Sequence, residues 1–61
     1  MQIKVTEVVE REPTRILFKG EQPNGVPVRF HVTMPEADIM AEKVEAYAKG
    51  EPDAMEVYAD M

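Results

Sequence analysis

The chain contains no cysteine, no serine and no tryptophan, and its one histidine is His31. Without cysteine there is no disulfide to staple a short fold and no thiolate to hold zinc. Without serine or cysteine the usual acyl-transfer nucleophiles are missing. The threonines, Thr6, Thr14 and Thr33, have no evident base beside them. The glycines, Gly20, Gly25 and Gly50, stand singly at turns or a helix end, so no glycine-rich loop is available to cradle phosphate. No apolar run approaches the ~18 residues that a membrane span needs. The start, Met1-Gln2-Ile3-Lys4, lacks the basic-then-apolar order of a signal peptide. Residue 2 is not the glycine that myristoylation requires. These absences argue against an enzyme, a cofactor, a metal site and a membrane partner. They are the expected features of a cytoplasmic protein.

What is present is a single short chain of 61 residues, 44% hydrophobic, which is too apolar for disorder. Residues 1–61 read as one small domain. A chain of this size buries only about 60% of the surface its unfolded form exposes. Good packing or oligomerisation must then support it.

The organising stretch is Val26 to Lys49. Val26, Val28, Phe30 and Val32 alternate with Pro27, Arg29, His31 and Thr33, the period of a strand with one buried face. At Thr33 the pattern changes. Thr33-Met34-Pro35-Glu36 has the form of a capping box, and from Met34 to Lys49 the apolar spacing is helical. Ala37, Met40, Ala41, Val44, Tyr47 and Ala48 share one stripe. Asp38, Glu42, Glu45 and Lys49 form another, with Glu45 and Lys49 a favourable i,i+4 pair. Gly50 is a sound stop.

Upstream, Gln2 to Glu10 reads as a first strand. Glu7 interrupts its apolar face, so either a bulge near Thr6-Glu7 returns Val8 to the inside or an edge position lets Glu7 reach water. Thr14 to Lys19 is a second strand. Gly20 to Gly25 is a turn joining strands two and three as a hairpin. Downstream, Ala54 to Met61 fits a strand better than a helix, with Met55, Val57, Ala59 and Met61 on one side. The fold class is therefore α+β: a small three- or four-stranded, mostly antiparallel sheet with one helix packed on one face, in the order β-β-β-α-β. A right-handed crossover would set strand four parallel to strand three, and docking beside strand one would give the order 4-1-2-3.

Charge is unevenly placed. The net −5 resolves into five bases against four acids in residues 1–35 and two bases against eight acids in residues 36–61. The helix stripe Asp38, Glu42, Glu45 has spacing suited to a cation, but nothing supplies the carbonyl oxygens that calcium sites add. It reads as a solvated acidic face. Ile39, near Ala46 on the side away from the apolar stripe, is a candidate apolar anchor. Met34, Met40, Met55 and Met61 read mainly as core filling rather than an adaptable groove. Lys4, Arg15, Lys19, Arg29 and His31 should share the sheet exterior. That face recommends nucleic acid weakly, because it offers no aromatic platform and the net charge opposes it. His31 reads as a half-exposed strand residue without a task.

The expectation is a non-enzymatic protein-interaction module that binds a partner with a basic surface. Its candidate contact residues are Asp38, Ile39, Glu42, Glu45, Asp53 and Glu56, with Asp60 beyond them. In size and charge alone it is similar to small acidic inhibitors of phages and mobile elements, whose carboxylates occupy a partner's nucleic-acid-binding groove. The alternatives are a structural subunit that homodimerises through its sheet, and weak nucleic-acid binding through Lys4, Arg15, Lys19 and Arg29.

Overall fold

The computed structural model covers residues 1–61 and has the order β1 (Gln2–Arg11), β2 (Arg15–Glu21), β3 (Pro27–Thr33), α1 (Glu36–Ala48) and β4 (Val57–Asp60). The strands form one curled sheet in the order β3-β2-β1-β4, and every neighbouring pair is antiparallel. The β-β-β-α-β arrangement and the docking of β4 beside β1 are as expected from the sequence. The direction of β4 is not, because it runs antiparallel to β1 and hence to β3. The cause lies in the path of α1. Asp38 and Glu45, two turns apart on the helix, both reach Arg11 at one end of β1. The helix therefore carries the chain across the strands rather than back along them. β4 then enters opposite Val5 and runs toward Gln2.

The period-two residues of the hairpin build the core. Phe18 and Phe30 lie directly opposite each other and stack with ring centroids 5.9 Å apart. Ile3, Val5, Ile16 and Ala59 extend this layer across the sheet. The helix adds Ala37, Ala41 and Val44, three small side chains that let it lie close. Tyr47 and Ala48, expected on the same stripe, are exposed. Tyr47 turns its hydroxyl toward Glu56 instead.

β1 carries two register shifts, between Val5 and Glu7 and between Val8 and Glu10. These are bulges at Thr6 and Val9, and Thr6 secures the first by donating its hydroxyl to the Lys19 carbonyl at 3.2 Å. Each flips the following residues. Val8 turns back to the core side, Glu7 and Glu10 face outward, and Arg11 comes to the helix side of the sheet.

The helix start differs from the sequence reading. Thr33 does not cap it. Pro35 occupies the N-cap with no side-chain hydrogen bond. Thr33 is held in β3 opposite Arg15, and the Met34 N–H donates to the Thr14 carbonyl at 3.0 Å. Strand pairing thus keeps this segment extended past the expected helix start. Glu36 and Asp38 in the first turn favour the positive helix end in place of a cap. The stop is as expected. Gly50 has φ +76°. Its N–H donates to Tyr47 O at 3.0 Å, and that of Glu51 to Ala46 O at 3.2 Å, the paired bonds of a Schellman motif.

Gly20 marks the tightest point of the sheet. A Cβ there would lie 2.6 Å from the Lys4 carbonyl oxygen and 2.7 Å from Ile3 Cγ2. Gly20→Ala should therefore force β1 away from β2 and cost about 1–3 kcal/mol, read as a lower denaturant midpoint at unchanged m-value. An unchanged midpoint would show that the β1–β2 contact yields freely.

Candidate functional site

The acidic residues singled out in the sequence separate into two groups on opposite flanks of α1. On one flank are Asp38, Glu42 and Glu45. This stripe is not a free acidic face. Arg11 Nη2 donates to Glu45 Oε1 at 2.7 Å, and Arg11 Nη1 lies 3.9 Å from Asp38 Oδ1. Glu45, expected to pair with Lys49, takes Arg11 instead, and of the three only Glu42 forms no ion pair. Arg11 lies opposite Ile16, on the face of β1 that also carries Ile3 and Val5.

The other flank of α1 carries Ile39, Lys43 and Ala46. It faces the segment that leads into β4. Between them lies a cleft of about 630 Å³ bounded by Lys43, Ala46, Pro52, Met55 and Val57. A smaller hollow of about 180 Å³ continues it past Ile39 and Met40. Lys43, Val57 and Tyr58 border both, so the two form one groove between α1 and β4. Its apolar walls are open to solvent: Ile39 is 55% exposed, Met55 79% and Tyr58 49%. Its acids are Glu36 at one end and Glu51, Asp53 and Glu56 at the other. Glu36, Glu51, Asp53 and Lys43 form no ion pair.

Glu56 differs from the other groove acids. Its carboxylate accepts from the Tyr58 hydroxyl at 2.5 Å and from the Tyr47 hydroxyl at 3.5 Å, and Lys4 Nζ lies 3.5 Å away. The Tyr58 hydrogen bond, then the Lys4 charge, lowers the Glu56 pKa below its ordinary value. The Glu56 charge raises Lys4, and the Glu56 hydrogen bond raises Tyr58. The cluster ties β4 to β1 and to the end of α1.

The sheet exterior is not basic. The residues opposite Lys19 and Lys4 on β1 and β2 are Glu7 and Glu21. Arg15 pairs with Glu12 at 3.0 Å, and His31 Nε2 lies 3.4 Å from the same carboxylate. Lys4 pairs with Glu56, and of this set only Lys19 and Arg29 form no ion pair. The expected basic face is interleaved with acids because the first β1 bulge turns Glu7 outward, where Glu10 and Glu21 also lie. It also carries an aromatic, Tyr58, opposite Lys4. No helix is long and apolar enough to cross a membrane.

Sequence reasoning missed Lys43, Met55, Tyr58, Glu36 and Glu51 as neighbours of Ile39. Ile39 and Ala46 were legible on one side of the helix, with Lys43 between them. The other wall of the groove was not, because it depends on where residues 51–58 return. Compared with protein-family models, with curated proteins and with solved structures, the chain matches none.

The Glu56 cluster has a defined pH signature. A lowered carboxylate pKa adds stability that is present above the unfolded value of 4.5 and lost as pH falls through the folded value. The raised Lys4 and Tyr58 add stability present below their unfolded values of 10.5 and 10.0 and lost as pH rises through the folded ones. Glu56→Gln should lower the melting temperature at neutral pH and leave it near wild type in acid. An ultraviolet titration should also show Tyr58 ionising at lower pH in the variant. Equal melting differences at neutral and acid pH would remove the charge from this account.

Proposed function

We propose that the chain is a non-enzymatic protein-interaction module that binds a basic partner surface through the groove flank of α1. One observation carries this reading: a set of exposed apolar side chains, Ile39, Met55 and Tyr58, is rimmed by Glu36, Glu51 and Asp53, which have no counter-ion within the molecule. Isolated exposed apolar residues are ordinary on a protein surface, whereas a contiguous set with a polar rim has the anatomy of an interface. Glu36, Glu51 and Asp53 steer a basic partner toward it, and Ile39 supplies the apolar anchor. Asp38, Glu42 and Glu45 take a lesser part, since Arg11 already neutralises two of them. The cytoplasm is the setting in which we place this activity.

The test is capture from lysate by the tagged chain at two salt concentrations. A basic protein should be retained at low salt and released at high salt, where screening shortens to a few Å. Glu36→Lys with Asp53→Lys should lose it. Asp38→Lys with Glu42→Lys should keep most of it. The reverse pattern would move the interface to the Arg11 flank, and indifference to all four changes would end the acidic-surface reading.

Self-association through the sheet has its own observation. The bond from Met34 N–H to Thr14 O sets the phase of the β2–β3 ladder, so Arg29, His31 and Thr33 turn their main-chain groups away from β2. Pro27 removes only one donor from this open edge. Sedimentation across a wide concentration range decides it. A dimer mass that falls on dilution would support pairing of two β3 edges, and a constant monomer mass would exclude it.

A further inference from the structure

The groove has a feature that a flat acidic patch would lack: its floor is an open strand edge. The Met61 N–H donates to the Met1 carbonyl at 2.8 Å, continuing the β1–β4 ladder in register. In an antiparallel ladder the bonded pairs alternate. Val57 and Ala59 therefore direct their main-chain groups to β1, while Tyr58 and Asp60 direct theirs outward. Those N–H and C=O groups meet no fifth strand. Beside them run the Ile39–Lys43–Ala46 flank of α1 and the Met55–Val57 segment.

We infer that this site takes an extended segment of a partner protein, added as a fifth strand along β4, with apolar residues alternating with lysine or arginine. The inference rests on the function proposed above and specifies its mode of binding. Main-chain bonds to Tyr58 and Asp60 supply affinity that does not depend on sequence. Alternate side chains of the segment enter the groove against Ile39, Met40 and Val57. The others emerge on the sheet exterior beside Tyr58 and Asp60. At ~3.3 Å per residue, the edge and its groove accommodate roughly four to six residues.

Charge selects the occupant. With Glu56 already paired to Lys4, Glu36, Glu51 and Asp53 border the groove against Lys43, so a basic segment is attracted. A second copy of this chain, with a net charge of −5, is repelled. An acidic or phosphorylated segment is disfavoured on the same ground.

The probe is a phage-displayed library of random dodecapeptides, selected on the immobilised full chain. Selected sequences should alternate apolar with basic residues. Their binding should fall at least tenfold with Ile39→Asp, and separately with Met55→Asp. Both positions are exposed, so the fold should survive, and circular dichroism checks that it does. The deciding measurement uses synthetic copies of a selected peptide methylated at single main-chain nitrogens. Methylation at the alternate nitrogens that meet the Tyr58 and Asp60 carbonyls should abolish binding, and methylation at the intervening ones should be tolerated. The amides of Tyr58 and Asp60 should exchange more slowly in the complex. Tolerance of every methylation, unchanged exchange at those two amides, selection of acidic peptides, or no selection at all would each overturn strand addition. If the salt-sensitive capture of a basic protein persists in those cases, the interaction reading stands and only its mode is wrong. If both fail, the groove is not the binding site.

Discussion

A single thirteen-residue helix has to cover one face of a four-stranded sheet, and most of the structure follows from how incompletely it does so. At 1.5 Å per residue it is about 20 Å long, enough to cross strands spaced by ~4.8 Å but not to shield their length. Its buried side chains are Ala37, Ala41 and Val44. They permit close approach, but they contribute little apolar area of their own. The core is consequently a property of the sheet, centred on Phe18, Phe30 and Ile16, with the helix as a lid. Side chains that a broader layer would have covered, Ile39 and Met55 foremost, remain outside.

The second determinant is a pair of extra residues in β1. Without the bulges at Thr6 and Val9, period-two alternation would place Glu7 and Val9 beside Ile3 and Val5. With them, Glu7 moves to the exterior opposite Lys19 and Val8 moves to the core side, while the second bulge restores the alternation, so that Glu10 stays outside and Arg11 stays on the helix side, where it takes up Asp38 and Glu45. Two local irregularities thereby move one acid from the core side to the exterior and keep Arg11 on the helix side. Among the acids left without a counter-ion, Glu36, Glu51 and Asp53 border the groove with its exposed apolar side chains, and the proposed interface is placed there for that reason.

The order of elements was legible in the sequence because it depends on local periodicity. Val28-Phe30-Val32 and Ile16-Phe18 could only be strands with one apolar face, and Ala37-Ala41-Val44 could only be one stripe of a helix. The interruption at Glu7 announced a bulge as one of two solutions. What was not legible depends on distant contacts. Thr33 matched a helix cap, yet pairing with Arg15 holds it in β3. Glu45 matched a partner on its own helix, yet a residue on β1 claims it. The direction of β4 depends on the angle at which α1 crosses the sheet, and periodicity does not report that angle. The candidate site divides in the same way. Ile39 stood out on the helix, but the wall that turns it into part of a groove comes from residues 51–58.

The sheet is bound by main-chain hydrogen bonds between every pair of neighbouring strands, whereas α1 is bound to it by three small side chains, a partly buried Met40 and surface ion pairs. Cooperative units separate where such contacts are fewest. The helix is thus the portion able to lift while the ladder stays intact. Its far flank is also one wall of the groove, so the width of that groove is governed by the helix rather than by the strand. In the binding mode proposed above, the helix is the wall that would adjust to side chains of different bulk, and the main-chain edge of β4 is the side that would stay fixed.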